Sequence, residues 1–361
     1  MRVFKNPIYQ KRIILIIPSL VGGGTEKTLV NLANMFNTSN YKVEIICIYE
    51  KNKKVPNLSK GILINYLNCK NIKDSIFKLR SKFNLKKCSV IISFLTATNI
   101  AVSIARLFQE KKHYFIYTQH EIPSLNLFKQ KKYFLYPILI RLFYPSASKI
   151  ICVSKGLENE LKRFLNKSSR TKIVSIYNYI ENTKVFRNPN ITSKLRLLSV
   201  GRLIKSKDFS SLLKAIYLIK NDLNVQLTIV GEGPQKEILE DEIIKFGLEN
   251  ICKIKNYAYN IEDYYSNSDI YISSSLYESF GNTIVEAMRF NLKIISTDCK
   301  YGPREILEDG KFGYLVKLKS PESIAEAIKK AVLSKKNPDY KKSLERFSMQ
   351  TILKKYESLR A

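Results

Sequence analysis

Hydrophobic and polar positions along this chain switch repeatedly between a strand period and a helix period. Ile13–Ile17 is an unbroken apolar run, as a parallel strand buried on both faces requires. After Gly22-Gly23-Gly24, the apolar residues Leu29, Val30, Leu32, Ala33 and Phe36 recur at helical spacing. The same alternation predicts strands at Tyr41–Ile48, Leu63–Tyr66, Val90–Phe94, Tyr114–Tyr117, Lys149–Val153 and from Thr171 to about Asn178, with helical patterns between them. Such β-α-β alternation implies an open parallel sheet with right-handed crossovers, whose ligands gather at the carboxyl ends of the strands.

The pattern then begins again. Strands are predicted at Leu195–Val200, Val225–Val230, Ile251–Ile254, Asp269–Ser273 and Leu292–Ser296, with helices from about Phe209 to Lys220 and from about Gln235. Ser320 caps a further helix with Pro321 in its first turn, and a last helical segment runs from about Asp339 to Leu359. A chain of 361 residues is too long for one ordinary core and fits two domains of roughly 150–180 residues. The expected division is 1–180, a linker at 181–193 containing Asn188-Pro189-Asn190, 194–338, and a terminal segment at 339–361.

Composition excludes some functions and redirects others. With 45% hydrophobic and 11% aromatic residues the chain is globular. Six scattered cysteines without a C-x-x-C pair, and only two histidines, argue against structural zinc and fit a reducing cytosol. The apolar core of Met1–Val21 is too short for a secretory leader and reads as a buried first strand, and no run reaches the ~20 apolar residues of a membrane span. Net charge is +30, and residues 1–180 hold 31 basic against 8 acidic side chains. That asymmetry points the first half at an anionic surface: nucleic acid, anionic lipid or a phosphorylated acceptor.

Candidate chemistry concentrates at Ser275–Met288. A strand leads to Glu278, a small polar turn through Gly281, Asn282 and Thr283, and a helix carrying Glu286. A helix start with a glycine turn is an anion site, and carboxylates can read pairs of hydroxyls, so a sugar nucleotide is the expected ligand. Arg202 and Lys207 stand at or past a strand end, where a diphosphate needs cations; either also fits a solvated basic loop. Gly23 and Gly24 allow close backbone approach to a ligand or simply form a tight turn. His120 follows a strand end and is placed for chemistry, whereas His113 precedes the strand. Asn126–Tyr144, with Lys129, Lys131 and Lys132 ahead of Tyr133–Tyr144, reads either as a basic, aromatic element at a lipid surface or as a packed helix; packing is the expectation, with a kink at Pro137.

Taken in order, Gly22-Gly-Gly-Thr-Glu26, Gly201-Arg202-Leu203 with Lys207-Asp-Phe209, Glu278-x7-Glu286, Ala147–Ser154 and Thr297-Asp-Cys299 with Gly302–Leu307 resemble glycosyltransferase family 4 over almost the whole chain. The resemblance implies the α/β GT-B fold: two Rossmann-like parallel-sheet domains facing across a cleft, the C-terminal helix crossing back to the N-terminal domain. It also implies retaining, metal-independent transfer without a cofactor. Residue by residue, it places Arg202 and Lys207 on the donor diphosphate, with Gly281, Asn282 and Thr283 completing that site. Glu278 falls on sugar hydroxyls, Glu286 on the ribose, and His120 beside the reacting sugar. Gly23 and Gly24 would face the cleft. Departures are Gly24-Thr25 at the centre of the early motif, Asp208 after Lys207, Tyr179 after Asn178, and Asn256-Tyr257 near the base.

The resemblance further implies a UDP-sugar donor, a lipid-linked or lipopolysaccharide-type acceptor, and a peripheral enzyme at the cytoplasmic face of an anionic membrane. Competing functions are a GT-B sugar-nucleotide epimerase, a nucleic-acid binder and an inactive binding partner. The carboxylate spacing opposes the first. No recognition module supports the second, and every transferred site residue is present against the third.

Overall fold

A computed structural model describes residues 12–21, 23–49, 57–84, 89–107, 113–125, 135–181, 194–256, 260–334 and 338–359. Gly22, Cys88, Lys129, Lys131, Lys132, Tyr133, Phe134, Tyr257 and residues 182–193 of the expected linker lie outside them. The chain divides into Met1–Glu181 with Arg346–Ala361, and Asn182–Glu345.

In the first unit seven parallel strands are ordered β3-β2-β1-β4-β5-β6-β7. They are β1 Arg12–Ile17, β2 Lys42–Cys47, β3 Leu63–Tyr66, β4 Val90–Phe94, β5 Tyr114–Gln119, β6 Lys149–Cys152 and β7 Ile173–Ser175. Ile13 to Ile17 are almost wholly buried, as the central position of β1 demands. Strand order reverses on either side of β1, so right-handed crossovers put helix Gly24–Thr38 on one face and helices Ile72–Phe83, Thr96–Ala105, Tyr136–Phe143 and Lys155–Phe164 on the other. The last four pack as a row, each on the next. Thr96–Ala105 is buried nearly all round within it, its Thr98, Asn99 and Ser103 included. Helix Met349–Glu357 packs beside Gly24–Thr38: Phe36 and Tyr356 meet edge-on at 5.5 Å, and Tyr41 donates to Glu357 at 3.0 Å.

Four details depart from the expectations above. The strand after Thr171 stops at Ser175, because its only neighbour, β6, is itself four residues long. The last segment is two helices, Lys341–Leu344 and Met349–Glu357, restarted by Ser348, whose hydroxyl accepts from Thr351 N–H at 3.3 Å. Pro137 stands in the first turn of helix Tyr136–Phe143, where a missing N–H costs nothing, while residues 126–134 of the expected element lie outside the described residues. That helix is also not enclosed: only Ile140 is buried, while Leu135, Ile138 and Leu142 are exposed.

His113 is structural. Ser89 N–H donates to its Nδ1 at 3.2 Å, so Nε2 carries the proton and donates to Phe83 O at 2.8 Å.

The second unit repeats the plan with six parallel strands ordered β10-β9-β8-β11-β13-β15. These are β8 Leu195–Val200, β9 Val225–Val230, β10 Cys252–Lys255, β11 Ile270–Ser273, β13 Lys293–Thr297 and β15 Tyr314–Val316. A separate two-residue parallel pair, β12 Tyr277–Glu278 with β14 Lys300–Tyr301, sits beyond the ends of β11 and β13. Helices Phe209–Ile219 and Pro321–Leu333 pack together and bury Leu212, Leu213, Ile216, Ile324 and Ile328 in one apolar core with the strands.

Candidate active site

The chain leaves β8 at Val200 and β11 at Ser273, which are neighbours in the sheet order, so the two departing loops run side by side. They are stitched together. Ser274 donates to Lys207 O at 2.7 Å, and Leu276 N–H donates to Ser206 O at 2.8 Å. Thr297, at the end of β13, donates to Ser275 O at 2.5 Å. On this frame the Lys207 ammonium forms an ion pair with Glu278 Oε1, and Ser275 donates to the same oxygen at 2.8 Å. Lys207 and Glu278 are both largely shielded from solvent, which strengthens the pair relative to a surface contact.

Three residues beyond Glu278, Gly281 takes φ +111°, a left-handed turn that costs other residues strain. It caps helix Asn282–Arg289, so the positive end of that helix's dipole opens at Asn282 and Thr283. Gly302 holds this turn from behind. A Cβ there would stand 1.6 Å from Phe280 O, so only glycine lets helix Gly302–Ile306 approach. One helical turn on, Glu286 is buried and accepts from Tyr265 at 2.9 Å. Tyr271 donates to Thr283 Oγ1 at 2.7 Å. Arg202 is exposed, and its side chain makes no hydrogen bond or ion pair among the described residues. The structure thus brings Lys207, Glu278, Gly281, Asn282, Thr283 and Glu286 onto one connected frame, with Arg202 at the end of the adjoining strand.

The remaining candidates are in the first unit. Gly23 and Gly24 start helix Gly24–Thr38 after β1, and a Cβ on Gly23 would fall 2.5 Å from the Glu26 carboxylate, which folds back over the turn. His120 follows β5 with its ring stacked on Phe94 at 5.3 Å. Thr118 commits its proton to Ser93 O at 2.8 Å, so it accepts from His120 Nε2 at 3.1 Å. Nδ1 is therefore the acceptor nitrogen of a neutral ring. Burial agrees with this, pushing the imidazole down to about 3. The ring borders a narrow cavity of about 10 Å³, room for one water at most, shared with Thr28, Asn178 and Tyr356. Glu121 caps the buried helix beside it, accepting from Thr96 N–H at 3.1 Å, while Gln119 donates to Glu121 O at 2.7 Å.

Sequence reasoning gave no role to Ser274, Ser275, Thr297, Tyr265 or Glu121, although Ser275 and Thr297 fall within the stretches it singled out. The triple serine at 273–275, ending an apolar strand, was the available signal for the first two. Thr297, Tyr265 and Glu121 act on residues more than twenty positions away, and nothing local in the sequence names those partners.

The family description Glycosyltransferase Family 4 matches residues 22–184, and Glycosyl transferases group 1 matches residues 181–349. A Campylobacter jejuni protein, N-acetylgalactosamine-N,N'-diacetylbacillosaminyl-diphospho-undecaprenol 4-alpha-N-acetylgalactosaminyltransferase, is 27% identical over 337 residues, covering 88% of this chain and 89% of the relative. The amylovoran biosynthesis glycosyltransferase AmsD of Erwinia amylovora is 26% identical over 341 residues, 90% of each chain. Among solved structures, Anabaena HepE in complex with UDP-glucose superposes with a TM-score of 0.79 at 19% identity, covering 96% of this chain and 99% of that one. The fold and the two matched descriptions define a glycosyltransferase of GT-B architecture. The chain belongs to glycosyltransferase family 4 and is an enzyme of that kind.

Proposed function

We propose that the enzyme transfers a hexose or N-acetylhexosamine, with retained anomeric configuration, from a UDP-sugar to a membrane-held glycan or lipid-linked acceptor. The product is a step in cell-surface polysaccharide assembly at the cytoplasmic face of the membrane. The observation that carries the reading is the Lys207–Glu278 pair beside the Asn282 helix start: a cation, a carboxylate and a helix dipole within one short stretch of surface. A sugar diphosphate needs that combination.

Charge placement assigns the roles. As the bond from the anomeric carbon to the phosphate oxygen breaks, negative charge grows on the diphosphate. Lys207, Arg202 and the helix start at Gly281, Asn282 and Thr283 stabilise it, without a resident metal. Glu278 orients sugar hydroxyls and steadies positive charge on the ring. Glu286 reads the ribose, oriented by Tyr265. The acceptor hydroxyl bonds to the anomeric carbon on the same face, and its proton passes to the departing phosphate oxygen. His120, neutral and with Nδ1 as acceptor, contacts the reacting sugar, and Gly23 and Gly24 line the acceptor side.

The Campylobacter relative's name gives an N-acetylgalactosaminyl transfer to a diphospho-undecaprenol-linked acceptor, and the Anabaena structure holds UDP-glucose, which supports the donor and acceptor classes chosen here. A thermal-shift and hydrolysis screen of UDP- and GDP-sugars tests the proposal. Stabilisation by at least one UDP-sugar is expected; a response to GDP-sugars alone would overturn the base, and silence across the panel would overturn the site.

A further inference from the structure

The outer surface of the four-helix row in the first unit combines exposed apolar side chains with a one-signed charge. On helices Ile72–Phe83, Thr96–Ala105, Tyr136–Phe143 and Lys155–Phe164 the exposed cations are Lys73, Lys78, Arg80, Arg141, Lys155 and Arg163. They face a single exposed carboxylate, Asp74. The other two acids are drawn inward: Glu158 pairs with Lys162 and takes a hydrogen bond from Ser175, and Glu160 is buried, accepting from Ser124 N–H at 2.8 Å.

Among these cations stand Phe77, 80% exposed, and Leu142, Ile138 and Leu135, exposed by 65%, 53% and 43%. The last three recur at spacings of four and three, which puts them on one stripe of their helix, with Arg141 beside them. Helices in a row pack about 8–10 Å apart, so Phe77 stands roughly 20 Å from the stripe, across the buried helix between. The second unit has exposed apolar residues too, but not this charge. On helices Phe209–Ile219, Lys236–Lys245 and Pro321–Leu333, the exposed Lys214, Lys245, Lys329 and Lys330 are answered by five exposed carboxylates.

We propose that this helix row docks on an anionic lipid surface, the Leu135–Ile138–Leu142 stripe entering the headgroup boundary while the surrounding cations meet lipid phosphates. The proposal rests on the reading that the acceptor is membrane-held and names the element that meets the membrane. Lipid is the occupant that uses both features. A nucleic acid would reward the cations but leave the aliphatic stripe in water. A second copy of the chain would set like charges against each other.

Flotation with vesicles of phosphatidylcholine, with and without phosphatidylglycerol, tests it at low salt. The full-length protein should float with the anionic vesicles and be released by salt. Ile138→Ser/Leu142→Ser and Arg141→Glu should each weaken vesicle partition about tenfold. Leu333→Ser, at a residue 81% exposed in the charge-balanced unit, should float like the wild type. All these positions are on the surface, so unfolding curves should barely change. Full flotation of the double variant would overturn the helix row as the docking surface while leaving a membrane-held acceptor in place. Failure of the wild type to float would overturn both. Equal flotation on neutral vesicles would overturn the role of charge. A change of sedimenting mass in the double variant, with lipid binding unchanged, would replace lipid by self-association.

Discussion

Replacing Gly302 with alanine tests how rigidly the carboxylate turn is held. A Cβ at 302 would lie 1.6 Å from Phe280 O, 2.3 Å from its carbonyl carbon and 2.5 Å from its Cα. All three are backbone atoms, so no rotamer change relieves the clash. Restoring a contact of 3.0 Å requires the Phe280 peptide and the 302 backbone to separate by about 1.4 Å. Overpacking of this kind costs about 1–3 kcal/mol. The displaced peptide directly precedes Gly281, so the helix start at Asn282 moves with it. Misplacement by about 1 Å in a catalytic site costs on the order of a hundredfold in rate. The assay is urea unfolding together with donor-dependent turnover. We expect a clear loss of stability and a donor kcat/KM reduced by about a hundredfold. Gly201→Ala, whose Cβ would have its nearest contact with the flexible Lys207 side chain at 3.4 Å, is the stability comparison and should cost far less. Wild-type unfolding and turnover in Gly302→Ala would refute the argument that this close approach holds the site.

Lys207→Ala and Glu278→Ala should each lower kcat/KM for the donor by at least about a hundredfold, the scale for losing one preorganised group; near-normal turnover in both variants would remove them from the site. Tyr265→Phe leaves the buried Glu286 one donor short and should cost about 1–3 kcal/mol in urea unfolding, with a weaker donor KM; an unchanged curve would mean that other partners suffice. His120 gives a pH test. Its folded-state pKa is lowered to about 3, against about 6.5 when unfolded, so the unfolded chain takes up the proton first as pH falls. Its contribution is complete above about pH 6.5 and is lost towards pH 3, about 2 kcal/mol being gone at pH 5. Urea unfolding at pH 7.5 and 5 should show a smaller pH dependence in His120→Gln than in the wild type, and equal dependence would show that the ring is solvated.

Strands and helices were legible wherever burial imposes a period: β1 and β4 are largely apolar runs because both faces are covered, β9 alternates because Gln226 and Thr228 lie on its half-buried face, and the bounds of all three follow the pattern closely. The two carboxylates and the glycine turn were legible because they are contiguous. What joins them was not. The bonds from Thr297 to Ser275 and from Tyr265 to Glu286 depend on which strands become neighbours, and a hydroxyl looks the same in sequence whether it spans two loops or faces water. Helix Tyr136–Phe143 misled for the opposite reason. An apolar stretch reads as buried, and nothing within Tyr136-Pro-Ile-Leu-Ile-Arg-Leu-Phe143 reveals that its neighbour Thr96–Ala105 covers only one side of it.

The return of helix Met349–Glu357 to the first unit sets a schedule for synthesis. Residues 182–345 are made between the two parts of that unit. At 5–20 residues per second this interval lasts about 8–30 s. Throughout it Phe36 and Tyr41 lack the edge of Tyr356 and the carboxylate of Glu357, and Tyr114 lacks the Leu359 carbonyl that it reaches at 3.0 Å. The first sheet to emerge from the ribosome is thus among the last to be finished. A nascent chain stalled before Arg346 should bind trigger-factor-like holdases at the helix Gly24–Thr38 surface, and release should coincide with emergence of the final helix.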